Sequence, residues 1–264
     1  MARPHIFNRT LLALVLLGIV AVVCVRLGNW QLDRAAQRIA IKQAIESGRQ
    51  SAPLHLTASP HPKDLTPWRP ASAHGVWRHD LTVLLENRNY QGRPGYWVAT
   101  PLILDATSNT AVLVLRGWLP RPDSLEQALP PIPAPDGPQT IQGELLSRVP
   151  RLFELSSASQ LPAALPDPAQ PLPRVQNLPL DTYAAATGLK FIPIVLAQTD
   201  YVSPSDDHQP PAAQLLHEWP EPSLDADKNK GYALQWFSFA AIAAIAWLII
   251  GWRALRRRGK SNTF

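Results

Sequence analysis

Tyr232 to Trp252 reads YALQWFSFAAIAAIAWLIIGW, a run with no Asp, Glu, Lys or Arg. About 20 such residues in helical conformation cross the hydrocarbon of a bilayer. Tyr232, Trp236, Trp247 and Trp252 lie near its ends, where amphipathic rings prefer the lipid–water interface. Arg253, Arg256, Arg257, Arg258 and Lys260 follow at once. A cationic flank of this kind is held on the cytoplasmic side, so the run predicts a transmembrane helix with a cytoplasmic tail.

The other end of the chain carries a second apolar block. Ile6 to Val25 reads IFNRTLLALVLLGIVAVVCV, uninterrupted from Leu11, with Arg9 and Arg26 as flanks that can snorkel. No small-x-small cleavage site precedes Arg26, and Val23 before Cys24 does not fit a lipoprotein signal. The run also continues into a helical pattern with Leu32, Ala36 and Ile39 on one face, so a retained anchor is expected. Two spans put both termini in the cytoplasm and the central segment in the opposite compartment, the periplasm of a bacterial inner membrane. The expected division is transmembrane helix 1 at 6–26, a helical extension at 27–48 ended by Gly48, a β-rich external domain at 49–230, transmembrane helix 2 at 231–252 and a basic tail at 253–264.

Composition narrows the middle of the chain. Its 28 prolines in 264 residues are about twice the ordinary usage and forecast many irregular connections. Short runs rich in Val, Leu, Thr and Trp, at Ala73–Trp77, Leu81–Asn87, Trp97–Leu104, Ala111–Trp118, Thr140–Leu145 and Lys190–Gln198, are bounded by Gly, Asn, Asp or Pro and read as strands. Asp181 is the expected cap of a short helix, TYAAAT, ended by Gly188. Residues 119–138 and 156–173 read as Pro-rich connectors. The fold class is therefore a membrane protein of α+β type, two transmembrane helices flanking an antiparallel β-rich extracytoplasmic domain.

Several functions are excluded. Cys24 is the one cysteine, so neither an intramolecular disulfide nor a multi-cysteine metal site exists. The net charge of +5 is concentrated in the C-terminal tail and suits a lipid surface, not nucleic acid. No nucleophile elbow, phosphate-cradling glycine loop or HExxH motif occurs, and the histidines are scattered without an i, i+4 pair. Asp206, Asp207 and His208 read as a solvated turn. No enzyme is expected.

Three segments concentrate Gly, Arg and Trp. They are LGNWQLDR at 27–34, NRNYQGRPGYWVATPL at 87–102 with LRGWLP at 115–120, and GYALQWF at 231–237. Trp30 and Gln31 on one helix and Gln235 and Trp236 on the other fall at the same membrane interface. Amides there can bond between helices or to a ligand's polar edge; plain anchoring and packing explain them equally well. Gly92, Gly95 and Gly117 mark turns or close backbone approach. Arg88 and Arg116 read as core-edge ion-pair partners or as anion binders.

Taken in order, the segments resemble the Surfeit-locus-one (Shy-one) family of cytochrome c oxidase assembly factors. LGNWQLDR is similar to its LGxWQxxR, NRNYQGRPGYWVATPL to its NRxxxGxPGYxxxTPL, LRGWLP to its NRGWxP with Leu115 for Asn, and GYALQWF to its closing motif. The resemblance implies a non-enzymatic factor that assists insertion of haem a into the core subunit of a haem–copper terminal oxidase. Its implied partners are that subunit, the enzymes of haem a synthesis and membrane lipid. It also implies transient haem a binding near the interface, with Trp30, Gln31, Tyr232, Gln235 and Trp236 as contacts. The family usually has His two residues before the Gly of the closing motif. Here Asn229 stands there, and Asn is a poor iron ligand where imidazole is a good one. His217 is the candidate replacement, and Lys228 or Lys230 could meet haem propionates. The alternative is a membrane-anchored scaffold that binds an oxidase subunit without haem.

Overall fold

A computed structural model describes residues 4–122, 128–153, 160–169, 172–199, 215–222 and 224–261. The chain divides into two compact units, one of residues 1–43 with 222–264 and one of residues 44–221.

The first unit is a helix pair. Helix α1 spans Pro4–Gln50 and helix α3 spans Ala226–Ser261, with the short α2 (Leu180–Thr187) between them in sequence. Asp225 starts α3 by accepting a hydrogen bond from the Lys228 amide at 3.1 Å, the third residue of the helix. Leu12, Ile19 and Val22 of α1 and Ile242, Ile245 and Leu248 of α3 are exposed. An apolar surface of that extent on a helix of spanning length is a lipid-facing surface, and the two helices are membrane anchors. Within this unit their buried positions are small, Cys24, Gly28 and Ala35 on α1 and Ala226, Ala233, Ala240 and Ala243 on α3. Small residues let helix backbones approach where no hydrophobic effect drives association.

The second unit is a β-barrel with additions. Its strands are β1 (Leu54–Leu56), β2 (Pro70–Trp77), β3 (Val83–Tyr90), β4 (Arg93–Asp105), β5 (Thr110–Pro120), β6 (Pro138–Leu146), β7 (Arg174–Val175) and β8 (Lys190–Gln198). The sheet runs β1-β2-β6-β8-β5-β4-β3-β7, and a further pairing of Val76 with Ile103 and Trp77 with Leu102 joins β2 to β4. That pairing closes β2, β6, β8, β5 and β4 into a barrel, which removes the open edges that such strands would otherwise expose. Inside it, Ala73, Leu102, Val112, Val114, Ile141, Ile194 and Leu196 form one core. Outside it, Leu113 and Leu115 pack with Val83, Leu85, Trp97 and Tyr183 of α2 in a second. Strand β5 is covered on both faces, which is why Ala111 to Leu115 are continuously apolar rather than alternating.

The structure refines four expectations. The pairings of β1 with β2, β3 with β7 and β5 with β8 are parallel, so the sheet is mixed rather than purely antiparallel. Helix α1 passes through Gly48. A Cβ there would lie 2.4 Å from the Pro67 carbonyl oxygen, so this glycine serves close packing and not termination. Helix α2 begins after Pro179, not after Asp181, whose carboxylate instead accepts from the Thr182 amide at 2.8 Å. Strands β1 and β7 carry no signal of their own in the sequence. Asp206, Asp207 and His208 lie outside the described residues.

Candidate functional site

The motifs at 27–34 and 231–237 meet in the helix pair. Gly28 is buried, and a Cβ on it would fall 2.6 Å from Phe237 Cε1, so the glycine of one motif is the seat for the aromatic ring of the other. Beside this contact the Asn229 amide donates from Nδ2 to Gln31 Oε1 at 2.6 Å. Asn229 Oδ1 is buried and accepts nothing. Arg38 of α1 adds a bond to the Asp225 carbonyl at 2.6 Å. Glycine seat, amide pair and arginine strap together fasten α1 to the start of α3.

The remaining candidates divide between the two units. Trp30 is 52 % exposed with the Arg34 guanidinium 5.7 Å over its ring. Tyr232 and Gln235 are exposed. Trp236 is half-buried, edge-on to Phe239 at 6.0 Å. Lys230 is engaged by Asp227 at 2.9 Å. His217 belongs to the barrel unit, where it lies against Gly117 beside the bridge between Leu216 and Trp118.

The residues that meet at the seam, Gly28, Gln31, Asn229 and Phe237, do not fit coordination of a haem iron. Among the described residues that meet at the seam the donors are amides, and the amide nitrogen of Asn229 is committed to Gln31. Haem iron takes imidazole, thiolate, thioether or phenolate. Cys24 lies two helical turns farther along α1, buried among apolar neighbours. Aromatic and amide surface is present; an iron ligand at position 229 is not.

The central motifs form a second constellation, in the barrel. In NRNYQGRPGYWVATPL, β3 turns into β4 through Gln91 and Gly92, both at positive φ (48° and 80°). That is the two-residue turn whose twist matches a hairpin. Asn87, also at positive φ (60°), sits in the irregularity between Leu85 and Arg88. A Cβ on Gly95 would lie 2.4 Å from the Trp118 ring. Trp118 in turn donates from Nε1 to the Arg88 carbonyl at 2.7 Å. Each motif therefore locks onto another.

Arg88 and Arg116 are both 4 % exposed. Neither forms an ion pair among the described residues. The Arg88 guanidinium lies 4.4 Å over Trp97 and donates to the carbonyls of Pro150 and Gln176, each at 3.0 Å. The Arg116 guanidinium lies 4.7 Å over Trp77 and donates to the Pro133 carbonyl at 2.5 Å. Burial lowers both to about 10, which leaves them charged at neutral pH. Trp77, the partner of Arg116, was not among the residues singled out from the sequence. A tryptophan ending a strand gives no sign that a cation will cover it.

Comparison with known proteins agrees with the motif order. Uncharacterised SURF1-like proteins of Mycobacterium bovis and Mycobacterium tuberculosis are 27 % identical over 256 residues, covering 95 % of this chain and 86 % of theirs. The cytochrome oxidase assembly protein SHY1 of Saccharomyces cerevisiae is 29 % identical over 119 residues, 44 % of this chain and 30 % of its own. The sequence profile of the SURF1 family matches residues 18–241, from within α1 to within α3, and the chain belongs to the SURF1 family.

Proposed function

We propose that this chain is a non-catalytic, membrane-anchored assembly factor for a haem–copper cytochrome oxidase, assisting the insertion of haem a into the core subunit. The likeness to the yeast oxidase assembly protein carries this reading. The basic residues at the end of α3, 253 to 260, support a bacterial inner-membrane location with the barrel on the periplasmic side. In this reading Trp30, Gln31, Tyr232, Gln235 and Trp236 offer a porphyrin flat aromatic and polar contacts, while the iron finds its ligands elsewhere.

A second reading is favoured by the bond between Asn229 and Gln31, which spends the amide standing at the family's histidine position on joining two helices. Here the chain is a scaffold that holds an oxidase subunit through its barrel and never takes haem. An absorption spectrum of the detergent-purified protein, made alongside the enzymes of haem a synthesis, separates the two. A stoichiometric haem a band that shrinks in Trp236→Ala supports haem handling. A haem-free protein that still co-purifies the oxidase core subunit supports the scaffold. Neither haem nor subunit in the preparation would defeat both.

A further inference from the structure

The least satisfied polar groups in the barrel gather around Arg116. Its Nε and Nη1 are buried without a hydrogen-bond partner, and so is the indole Nε1 of Trp77, over whose ring the guanidinium lies. Among the described residues, three donor atoms in adjacent side chains, two of them on one guanidinium, are thus left without an acceptor. Buried polar groups are normally paired, and an uncompensated buried charge is the costliest exception. Arg88 makes an instructive contrast. It has the same burial and a stacked tryptophan of its own, Trp97, but two carbonyls receive its Nη2, and Nε is its one fully buried nitrogen without a partner among the described residues. Arg88 is a strut; Arg116 is short of acceptors.

The nearest acidic residue in sequence to Trp77 does not serve. Asp80 is gripped by Arg78 through two bonds, at 2.9 and 2.7 Å. The chain that meets the Arg116 guanidinium is the irregular segment 128–137, through Pro133. Its first half is anchored by Leu129 and Ile132, which pack against the core of Leu84, Tyr96 and Leu119, whereas Pro133 to Gly137 are exposed and are held by Arg116 Nη2 on the Pro133 carbonyl, His79 Nε2 on the Pro135 carbonyl at 3.2 Å and Gln139 Nε2 on the Asp136 carbonyl at 3.2 Å. Exposed, irregular chain such as 133–137 opens locally more readily than the packed part before it.

We propose that Arg116 and Trp77 form a latent carboxylate site beneath the 133–137 strap, filled by an acidic side chain of a partner protein when the strap lifts. The missing groups are all acceptors, and a carboxylate is acceptor-only. One guanidinium matches one negative charge, whereas a phosphate dianion would be left half neutralised. A protein segment also brings backbone carbonyls to replace those of Pro133 and Pro135 on Arg116 and His79, which a free small carboxylate cannot do. The site lies in the barrel and stands whether or not the chain handles haem.

The test uses the full chain in detergent with nitrogen-labelled tryptophan, the Trp77 indole signal being assigned by its loss in Trp77→Phe. Acetyl-Gly-Glu-Gly-amide is titrated against acetyl-Gly-Gln-Gly-amide and inorganic phosphate. The Trp77 signal moves saturably with the Glu peptide and not with the Gln peptide. In Arg116→Lys the apparent Kd rises about tenfold or more, the loss expected for a charge-assisted bond, while the other indole signals stay in place and report an intact fold. No movement with the Glu peptide, or equal movement with the Gln peptide, overturns the proposal. A stronger response to phosphate overturns the carboxylate assignment. Asp123 and Glu126, which lie outside the described residues, are the competing occupants. A Trp77 signal that shifts in Asp123→Asn or Glu126→Gln with no peptide present overturns the partner-protein version.

Discussion

Asn229 and Gln31, 198 positions apart, share a hydrogen bond of 2.6 Å between α3 and α1. Interhelical amide bonds in membrane proteins contribute about 0.6 to 2 kcal/mol. Asn229→Ala is expected to lower stability by about 1 kcal/mol, read as an earlier thermal loss of helix in detergent, and Gln31→Ala by a similar amount. The double variant should cost clearly less than the sum, because either change alone already breaks the bond. Additive losses would mean that the two amides act independently. Asn229→His tests the same position chemically. Imidazole restores an iron ligand, so this variant is expected to retain more haem a than the parent.

The seat of Phe237 on Gly28 makes a size prediction. A Cβ on Gly28 would stand within 3.0 Å of three ring atoms, and overfilling a packed contact costs about 1 to 3 kcal/mol. Gly28→Ala should weaken the helix pair by that amount. Combining it with Phe237→Leu, which withdraws the ring, should recover most of the loss. If Gly28→Ala is neutral by thermal unfolding in detergent, the two helices do not depend on this contact.

Tyr183 links stability to alkaline pH. It is fully buried, its hydroxyl donates to the Leu81 carbonyl, and burial drives its pKa far above the ordinary 10.0. An unfolded tyrosine ionises above about 10 while the folded one does not. Stability from this group is therefore complete below that pH and is lost as pH rises beyond it. Tyr183→Phe should cost about 1 to 2 kcal/mol at neutral pH and should flatten the decline above pH ~10. Chemical denaturation at pH 8 and pH 10.5 measures both effects; parallel curves for parent and variant would contradict the assignment.

Much of this was legible from local pattern. Both spanning helices and six of the eight strands follow from length, hydropathy and turn residues. Strands β1 and β7 do not, because two or three residues become a strand only when a distant parallel partner is present. Gly48 misleads because the reason for it lies 19 residues away at Pro67, not in the helix end. The motif at 27–34 could be tied to that at 231–237 by resemblance, but not the contacts that join them. No local rule reports that Gly28 faces Phe237, or that the amide at 229 is spent on Gln31. Arg88 and Arg116 were open between ion-pair and anion-binding roles, since burial of a cation without a carboxylate is a property of the assembled barrel.

Arg88 separates strut from charge. Arg88→Met removes the cation but leaves the carbonyls of Pro150 and Gln176 without their donor. The expected cost is about 1 to 3 kcal/mol. Arg88→Lys should recover only part of it, because an ammonium lacks the planar fork that stacks on Trp97 while reaching two carbonyls. Urea unfolding of the detergent-solubilised chain would show this order, and full recovery by lysine would mean that charge alone matters.

The most direct test of oxidase assembly is the haem a absorption of membranes from cells lacking this chain. The oxidase core subunit is quantified in the same membranes. The account predicts core subunit present with its haem a signal strongly reduced, and restored by the full chain. An unchanged haem a signal per core subunit would contradict the assignment to haem a insertion.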